Sequence, residues 1–412
     1  MKSIRSNYRI KTLLGFFIIG LILGNAVACS HRSANLPDNQ NATEPTIEEN
    51  NDTKEKDLYR VLWRFTAKED STSAPVISEG KVIFVGDSGG NVSNTVYAVD
   101  QKTGSLVWEH KLDTRPSDYI AESQGLVFVG CNEKLVALDA KTGNTKWEFS
   151  DDPEEWHYYS YPVTWNQLVI VNKLNPLQVE NKDCIFVLDA LTGTVKWKKR
   201  IDGLLQRNLP VITNELLYYG TNEPGQKGKI FAVDVLTGQE RWHYQASTIW
   251  LDQPVANEQI VCFQPEGNEL IALDALTGQE KWKFTPDKQK LHQTTPFISE
   301  ELVYLSDFNQ NNECFLFALD NNTGKEKWRS PPYISKFNSI SIHLNNTIYV
   351  SSDYYGFVSA LDANSGERKW IFYSGAASGI NKSMIWEENT LYFTSSRDNG
   401  EGMLIALQDL SK

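Results

Sequence analysis

One string recurs along the chain and limits what it can fold into. Asp-x-x-Thr/Ser-Gly-x-x-x-Trp occurs seven times, beginning at Asp100, Asp139, Asp189, Asp234, Asp274, Asp320 and Asp362. Successive copies of its Trp lie 39, 50, 45, 40, 46 and 42 residues apart. That period belongs to four-stranded sheets repeated around an axis. Each part of the string has a physical task. Short apolar runs such as VYAVD, IFVLD and LIALD lead into the Asp and read as strands. The Asp side chain can accept N–H bonds within a turn. The Gly supplies the positive φ of a bulged hairpin. The Trp then falls on the next, outermost strand, where its large area can fill the space between neighbouring sheets.

Eight strand–turn–strand pairs, from residues 73–86 to residues 381–393, supply inner strands, yet only seven Asp-to-Trp hairpins follow them. The two ends of the repeat region account for the difference. Gly402 to Gln408 (GMLIALQ) reads as a third strand with Gln408 in the Asp position. Leu58 to Thr66 (LYRVLWRFT) reads as an outer strand, and its Trp63 stands 45 residues before Trp108. The expected fold is therefore all-β: an eight-bladed β-propeller of four-stranded blades over residues 58–412. Its last blade is closed by the N- and C-terminal strands, which removes an open sheet edge. Trp63, Trp108, Trp147, Trp197, Trp242, Trp282, Trp328 and Trp370 are the expected blade-docking residues.

Residues 1–28 read as an export signal. Lys2, Arg5, Arg9 and Lys11 precede the apolar run Leu13 to Gly24, and small residues lead to Cys29. About 16 residues are apolar or small there, short of the roughly 20 that a membrane span needs. The stretch resembles a bacterial lipoprotein lipobox. That resemblance implies cleavage before Cys29, acylation of Cys29 including palmitate, and, with Ser30 next, sorting to the outer membrane of a Gram-negative host. Residues 29–57 are polar and cannot bury enough surface to offset their ordering entropy, so they read as a disordered tether. A formal charge of −12 and a pI near 5.1 argue against nucleic acid as partner.

The hairpin string resembles the PQQ-like β-propeller repeat, Ala-x-Asp-x-x-Thr-Gly-x-x-x-Trp. Ala98, Ala137, Ala232, Ala272, Ala318 and Ala360 stand where that repeat has Ala, and Val187 departs from it. The resemblance covers residues 58–408 and specifies architecture, since fold and function separate easily. A lipid-anchored propeller of this kind is similar to the BamB-like family of outer-membrane assembly lipoproteins. That similarity implies a non-catalytic interaction scaffold facing the periplasm, with a BamA-type barrel-assembly component as partner.

Two other readings compete: a PQQ-dependent dehydrogenase and a surface glycan-binding propeller. The quinoprotein resemblance implies a calcium held by carboxylate and amide groups, a catalytic Asp and, in many members, a pair of adjacent cysteines. The chain has no Cys-Cys and no Cys-x-x-Cys-His, and its hairpin aspartates belong to the face away from such a site. Its six His are scattered without metal spacing. No catalytic residue, metal or cofactor is therefore expected. Cys131, Cys184, Cys262 and Cys314 either pair between neighbouring blades, as Cys131–Cys184 and Cys262–Cys314, or stay as buried thiols.

Function is expected on the face that carries the variable loops between second and third strands and between blades. Trp156, His157, Tyr158, Tyr159, Trp250, Tyr354 and Tyr355 are the partner-binding candidates there. They form either an exposed docking surface or a covering for the blade ends and central channel.

Overall fold

Each Asp–Thr–Gly string closes its hairpin in the same way. Asp274 Oδ1 accepts the N–H of Leu276 (3.2 Å), the N–H of Thr277 (2.9 Å) and the Thr277 hydroxyl (2.9 Å). The main chain adds Gly278 N to Asp274 O, 2.9 Å. The computed structural model describes residues 57–411 apart from 70, 88–93, 153–156, 176–182, 206–208, 223–225, 249–250, 252, 266–268, 287–294, 309–312, 334–338, 345, 353–355, 376–379, 381–383 and 397–400. Of the sequence-derived candidates, Cys29, Trp156, Trp250, Tyr354 and Tyr355 lie outside the described residues.

The described strands form eight antiparallel sheets, the blades of an eight-bladed β-propeller. Six have four strands. In blades 1 and 4 the innermost position is split into two short strands on one neighbour, Ser71–Thr72 with Val76–Ser78 and Leu204–Leu205 with Val211–Thr213. Blade 8 combines Ile385–Glu387, Thr390–Ser396 and Gly402–Asp409 with Tyr59–Thr66 from the other end of the chain. Tyr59 pairs with Asp409 and Thr66 with Met403, so the first described strand seals the last blade.

The core lies between blades rather than within them. Eight apolar clusters each combine residues of two successive blades, and the last joins Trp63, Tyr392, Leu404 and Ala406 of blade 8 to Val82, Phe84 and Tyr97 of blade 1. The docking Trp residues are the seams. The indole N–H of Trp108 donates to the carbonyl of Ala140 in blade 2 (3.1 Å), and Trp242 does the same to Ala275 in blade 5 (3.0 Å). An indole buries roughly 200 Å², so one polar anchor fixes a large apolar contact. Opposite seven of the eight Trp residues on the third strand stands an Ala, as in Ala272↔Trp282 and Ala406↔Trp63, which leaves room for the ring; Trp197 faces Val187 instead.

The hairpin Gly carries two constraints. Gly278 has φ +70°, and a Cβ on it would lie 2.6 Å from the ring of Trp242 in the preceding blade. The Trp of one blade thus stacks on the hairpin of the next.

Candidate functional site

The variable face is most fully described where blades 2 and 3 meet. Blade 2 presents the start of Pro116–Ser123 and the turn after Leu126–Cys131; blade 3 presents the start of Tyr158–Trp165 and the end of Leu168–Leu174. Between them lies a cavity of ≈ 210 Å³, lined among others by Arg115, Ser117, Asn132, Tyr158, Ser160 and Tyr161.

The sequence candidates in this segment divide. His157 and Tyr159 are buried, 3% and 1% exposed, which corrects the alternative in which both stand on an exposed surface. The reason is local packing. The Tyr159 carbonyl runs so close to Gly130 that a Cβ there would lie 2.2 Å from it, and the Tyr159 ring enters the core between blades 2 and 3 against Phe149 and Phe186. Tyr159 covers a blade end. Tyr158 remains half-buried at the cavity wall and pairs as an isolated bridge with Asn132.

Tyr159 also organises charge. Its hydroxyl donates to Asp151 Oδ1, and Lys173 Nζ reaches the same oxygen at 2.6 Å. Burial pushes the Asp151 carboxyl up, but the bonds from Lys173 and Tyr159 outweigh it and leave the pKa below the usual value. Burial, with the nearby Asp151 carboxylate, drives the Tyr159 phenol upward, so it stays neutral.

Three features keep the cavity polar and shaped. Arg115, half-exposed, is held by Asp87 (Nε to Oδ2, 3.0 Å). The hydroxyl of Ser160, a residue 6% exposed, is buried and has no hydrogen-bond partner among the described residues. Tyr161 has φ +55°, an uncommon conformation for a bulky residue, at a register shift between Ser160 and Val163. The bulge turns Tyr161 onto Tyr119, 5.5 Å between ring centres. Residue pattern alone did not mark Arg115, Ser160 or Tyr161, because the cavity arises from the bulge rather than from any motif.

A second concavity, ≈ 380 Å³, lies beyond the Asn132–Glu133 turn and includes Asp113, Glu133, Lys134 and Glu148. Lys134 neutralises much of it, at 2.8 Å from Asp113 and 3.1 Å from Glu148.

The donor chemistry of a calcium–quinone site is not met by the described residues. The hairpin aspartates are engaged in their own turns on the opposite face, and no group of three or more His, Cys, Asp or Glu that could hold a metal ion is found among the described residues. Among the described residues, Cys131, Cys262 and Cys314 are buried and Cys184 is half-buried, and none of the four is joined in a disulfide.

Similarity to known proteins is consistent with this architecture. The polyvinylalcohol dehydrogenase of a Pseudomonas species is 26% identical over 161 residues, 34% of this chain and 24% of that protein. The quinoprotein alcohol dehydrogenase PedE of Pseudomonas putida is 40% identical over 76 residues, 18% of this chain and 11% of that protein. The matches thus span about a quarter or less of these relatives. Among solved structures, quinohemoprotein alcohol dehydrogenase from Comamonas testosteroni superposes with TM-score 0.67 at 14% identity, over 87% of this chain and 78% of the other. BamB from Moraxella catarrhalis superposes with TM-score 0.59 at 18% identity, over 84% of this chain and 97% of the other. At these identities the structural likeness concerns the fold. A family model described as outer membrane protein assembly factor BamB matches residues 59–150, 92–249 and 181–409, which together take in the whole propeller. The chain belongs to the family of outer membrane protein assembly factor BamB.

Proposed function

We propose that this protein is a non-catalytic, lipid-anchored interaction scaffold of the cell envelope, with a BamB-like role in assembling outer-membrane β-barrels. In this reading residues 1–28 are removed, Cys29 carries the lipid, residues 29–57 are the tether, and the propeller faces the periplasm. The observation that carries it is the family match over the whole propeller. The variable face supports it with a concave, partly aromatic surface at the blade 2–3 junction, where Arg115 and Tyr158 remain accessible. Aromatic and Arg side chains around a concavity are what protein partners use as anchors. The expected partner is a BamA-type component.

The test is a pull-down from detergent-solubilised envelope with the wild-type chain and with Tyr158→Ala and Arg115→Glu. Recovery of a stable partner by the wild type and its loss in both variants is expected. Failure of the wild type to recover any partner would sink the reading.

A second reading, a quinone-dependent dehydrogenase, rests on the similarity to PedE. It requires dye reduction with an alcohol in the presence of PQQ and Ca²⁺. No binding and no turnover would remove it.

A further inference from the structure

Every outer strand carries one extra residue. A register shift immediately before the docking Trp makes a β-bulge in all eight blades. In blades 2 to 7 the bulged residue is a cation: Lys146, Lys196, Arg241, Lys281, Lys327 or Lys369. Its head group turns back to Oδ2 of its own hairpin aspartate, at 3.0, 3.0, 2.7, 3.9, 3.0 and 3.7 Å in that order. The bulge is common to all eight edges, so what sets these six apart is the fixed charge, which obstructs pairing of an edge strand with another strand.

Blades 8 and 1, which are neighbours in the ring, lack that charge. Their bulged residues are Leu62 and Val107, 39% and 48% exposed. They also have the longest outer strands, eight residues in Tyr59–Thr66 and seven in Leu106–Leu112, against four to six in the other blades. Six successive blades are guarded and two adjacent ones are not.

We propose that the edge of Tyr59–Thr66 is a strand-addition site that accepts an extended, acidic segment of a partner protein as a fifth strand of blade 8. The strand lies at the open edge of its sheet, paired on its other side with Gly402–Asp409. Charge selects the partner. Residues 58–68 hold Arg60, Arg64 and Lys68 and no carboxylate, in a chain of formal charge −12. Arg60 and Arg64 are exposed on either side of Leu62. Arg60 bonds the neutral side chain of Gln408 (2.7 Å), and the Arg64 guanidinium lies over the Phe372 ring (5.9 Å); neither contact cancels a charge. Lys68 shares an exposed contact with Glu109 of blade 1 (3.4 Å). Main-chain bonds along the edge supply affinity, Leu62 supplies an apolar contact, and the arginines favour carboxylates on the incoming strand. This site is on the rim and is independent of the variable face.

The probe is a blocked nine-residue peptide alternating Glu with Val and Thr, compared with its Lys counterpart and with a version carrying a central Pro. Binding to the full chain is read by fluorescence anisotropy, and its position by hydrogen exchange of the Tyr59–Thr66 amides. The Glu peptide is expected to bind, to slow exchange in Tyr59–Thr66, and to bind at least tenfold tighter than the Lys and Pro versions. Leu62→Lys, which installs the residue type of the other blades, is expected to lose at least tenfold in affinity with an unchanged melting temperature. Arg60→Glu/Arg64→Glu is expected to reverse the preference toward the Lys peptide. Equal binding of all three peptides, full affinity in Leu62→Lys, or slowed exchange elsewhere only would overturn the proposal. So would slow exchange, without peptide, at the outward-facing Tyr59–Thr66 amides that do not bond Gly402–Asp409. Independence of protein concentration would then assign the edge to the chain's own N-terminal segment, and dependence on it to a second copy.

Discussion

The indole N–H of Trp370 donates to Oδ1 of Asp409, 3.2 Å away, across the seam between blades 7 and 8. At the other seven seams the docking Trp donates to a main-chain carbonyl, that of the residue following the hairpin Asp position. Blade 8 has no such hairpin, and a carboxylate takes over. Asp409, 2% exposed, also accepts the Tyr349 hydroxyl and the N–H and hydroxyl of Ser411. Asp409→Ala leaves the buried Trp370 and Tyr349 donors without this acceptor and should cost about 2–4 kcal/mol. Tyr349→Phe should cost about 1–2 kcal/mol. Urea unfolding of the two single variants and the double variant measures both costs, and the double should fall short of their sum because the groups share one acceptor.

Gly278 and Gly80 separate backbone strain from steric contact. Both have positive φ, +70° and +69°, but a Cβ on Gly278 meets Trp242 whereas one on Gly80 meets nothing within 4 Å among the described residues. Gly80→Ala should cost about 1 kcal/mol. Gly278→Ala should cost more than that by at least about 1 kcal/mol, since Trp242 must also move. Thermal unfolding of the two variants, side by side, tests the difference.

Hairpin aspartates should make the ring acid-sensitive. Lys146 bonding to Asp139, and Lys327 bonding to Asp320, are the largest causes that hold these carboxyls down at about 2, against an ordinary 3.8. A depressed folded-state pKa gives stability that is fully present above the unfolded value and is lost as pH falls through the folded one. The urea midpoint should therefore drop as pH falls from about 4 to about 2. Asp320→Asn should lower the midpoint at neutral pH and flatten that drop. An equally steep drop in the variant would count against the hairpins as its source.

Thiol accessibility should distinguish the cysteines of the propeller. Burial pushes the Cys131 thiol up to about 12, and Cys262 and Cys314 are 0% and 1% exposed. Cys184 is half-buried and outside any disulfide. Alkylation of the native domain at pH 8 should mark Cys184 and leave the other three until urea is added. Mass mapping reads the outcome, and an unlabelled Cys184 that becomes reactive only after reduction would instead indicate a disulfide.

Architecture was legible because it is written in repetition. The Asp, Gly and Trp of seven hairpins, with Trp63 at the matching interval, were enough to place the blades and their closure, since each residue does one local job. The candidate site was less so. Tyr158 and Tyr159 are adjacent and alike in sequence, yet Tyr159 enters the inter-blade core beside Gly130 while Tyr158 stays at a cavity wall. Strand alternation separates them, and the bulge at Ser160–Val163 decides what Tyr161 faces. A bulge depends on the partner strand's register, which a single repeat does not encode. The unguarded edge was visible only by comparing blades, where Leu62 and Val107 break a row of cations.

The closure of blade 8 has a consequence for how the molecule is made. Arg60 and Gln408 meet across the final sheet although 348 positions separate them along the chain. During synthesis from the N-terminus, the Tyr59 segment emerges first and waits for nearly every other strand before its neighbour exists. Joining segments so distant in sequence is entropically late and slow. Until it happens, Trp63 has only the blade 1 side of its seam, and the ring stands as an open arc with an unpaired strand at each end. Until the ring is complete, a nascent chain is thus open to proteolysis and to pairing with the wrong neighbour.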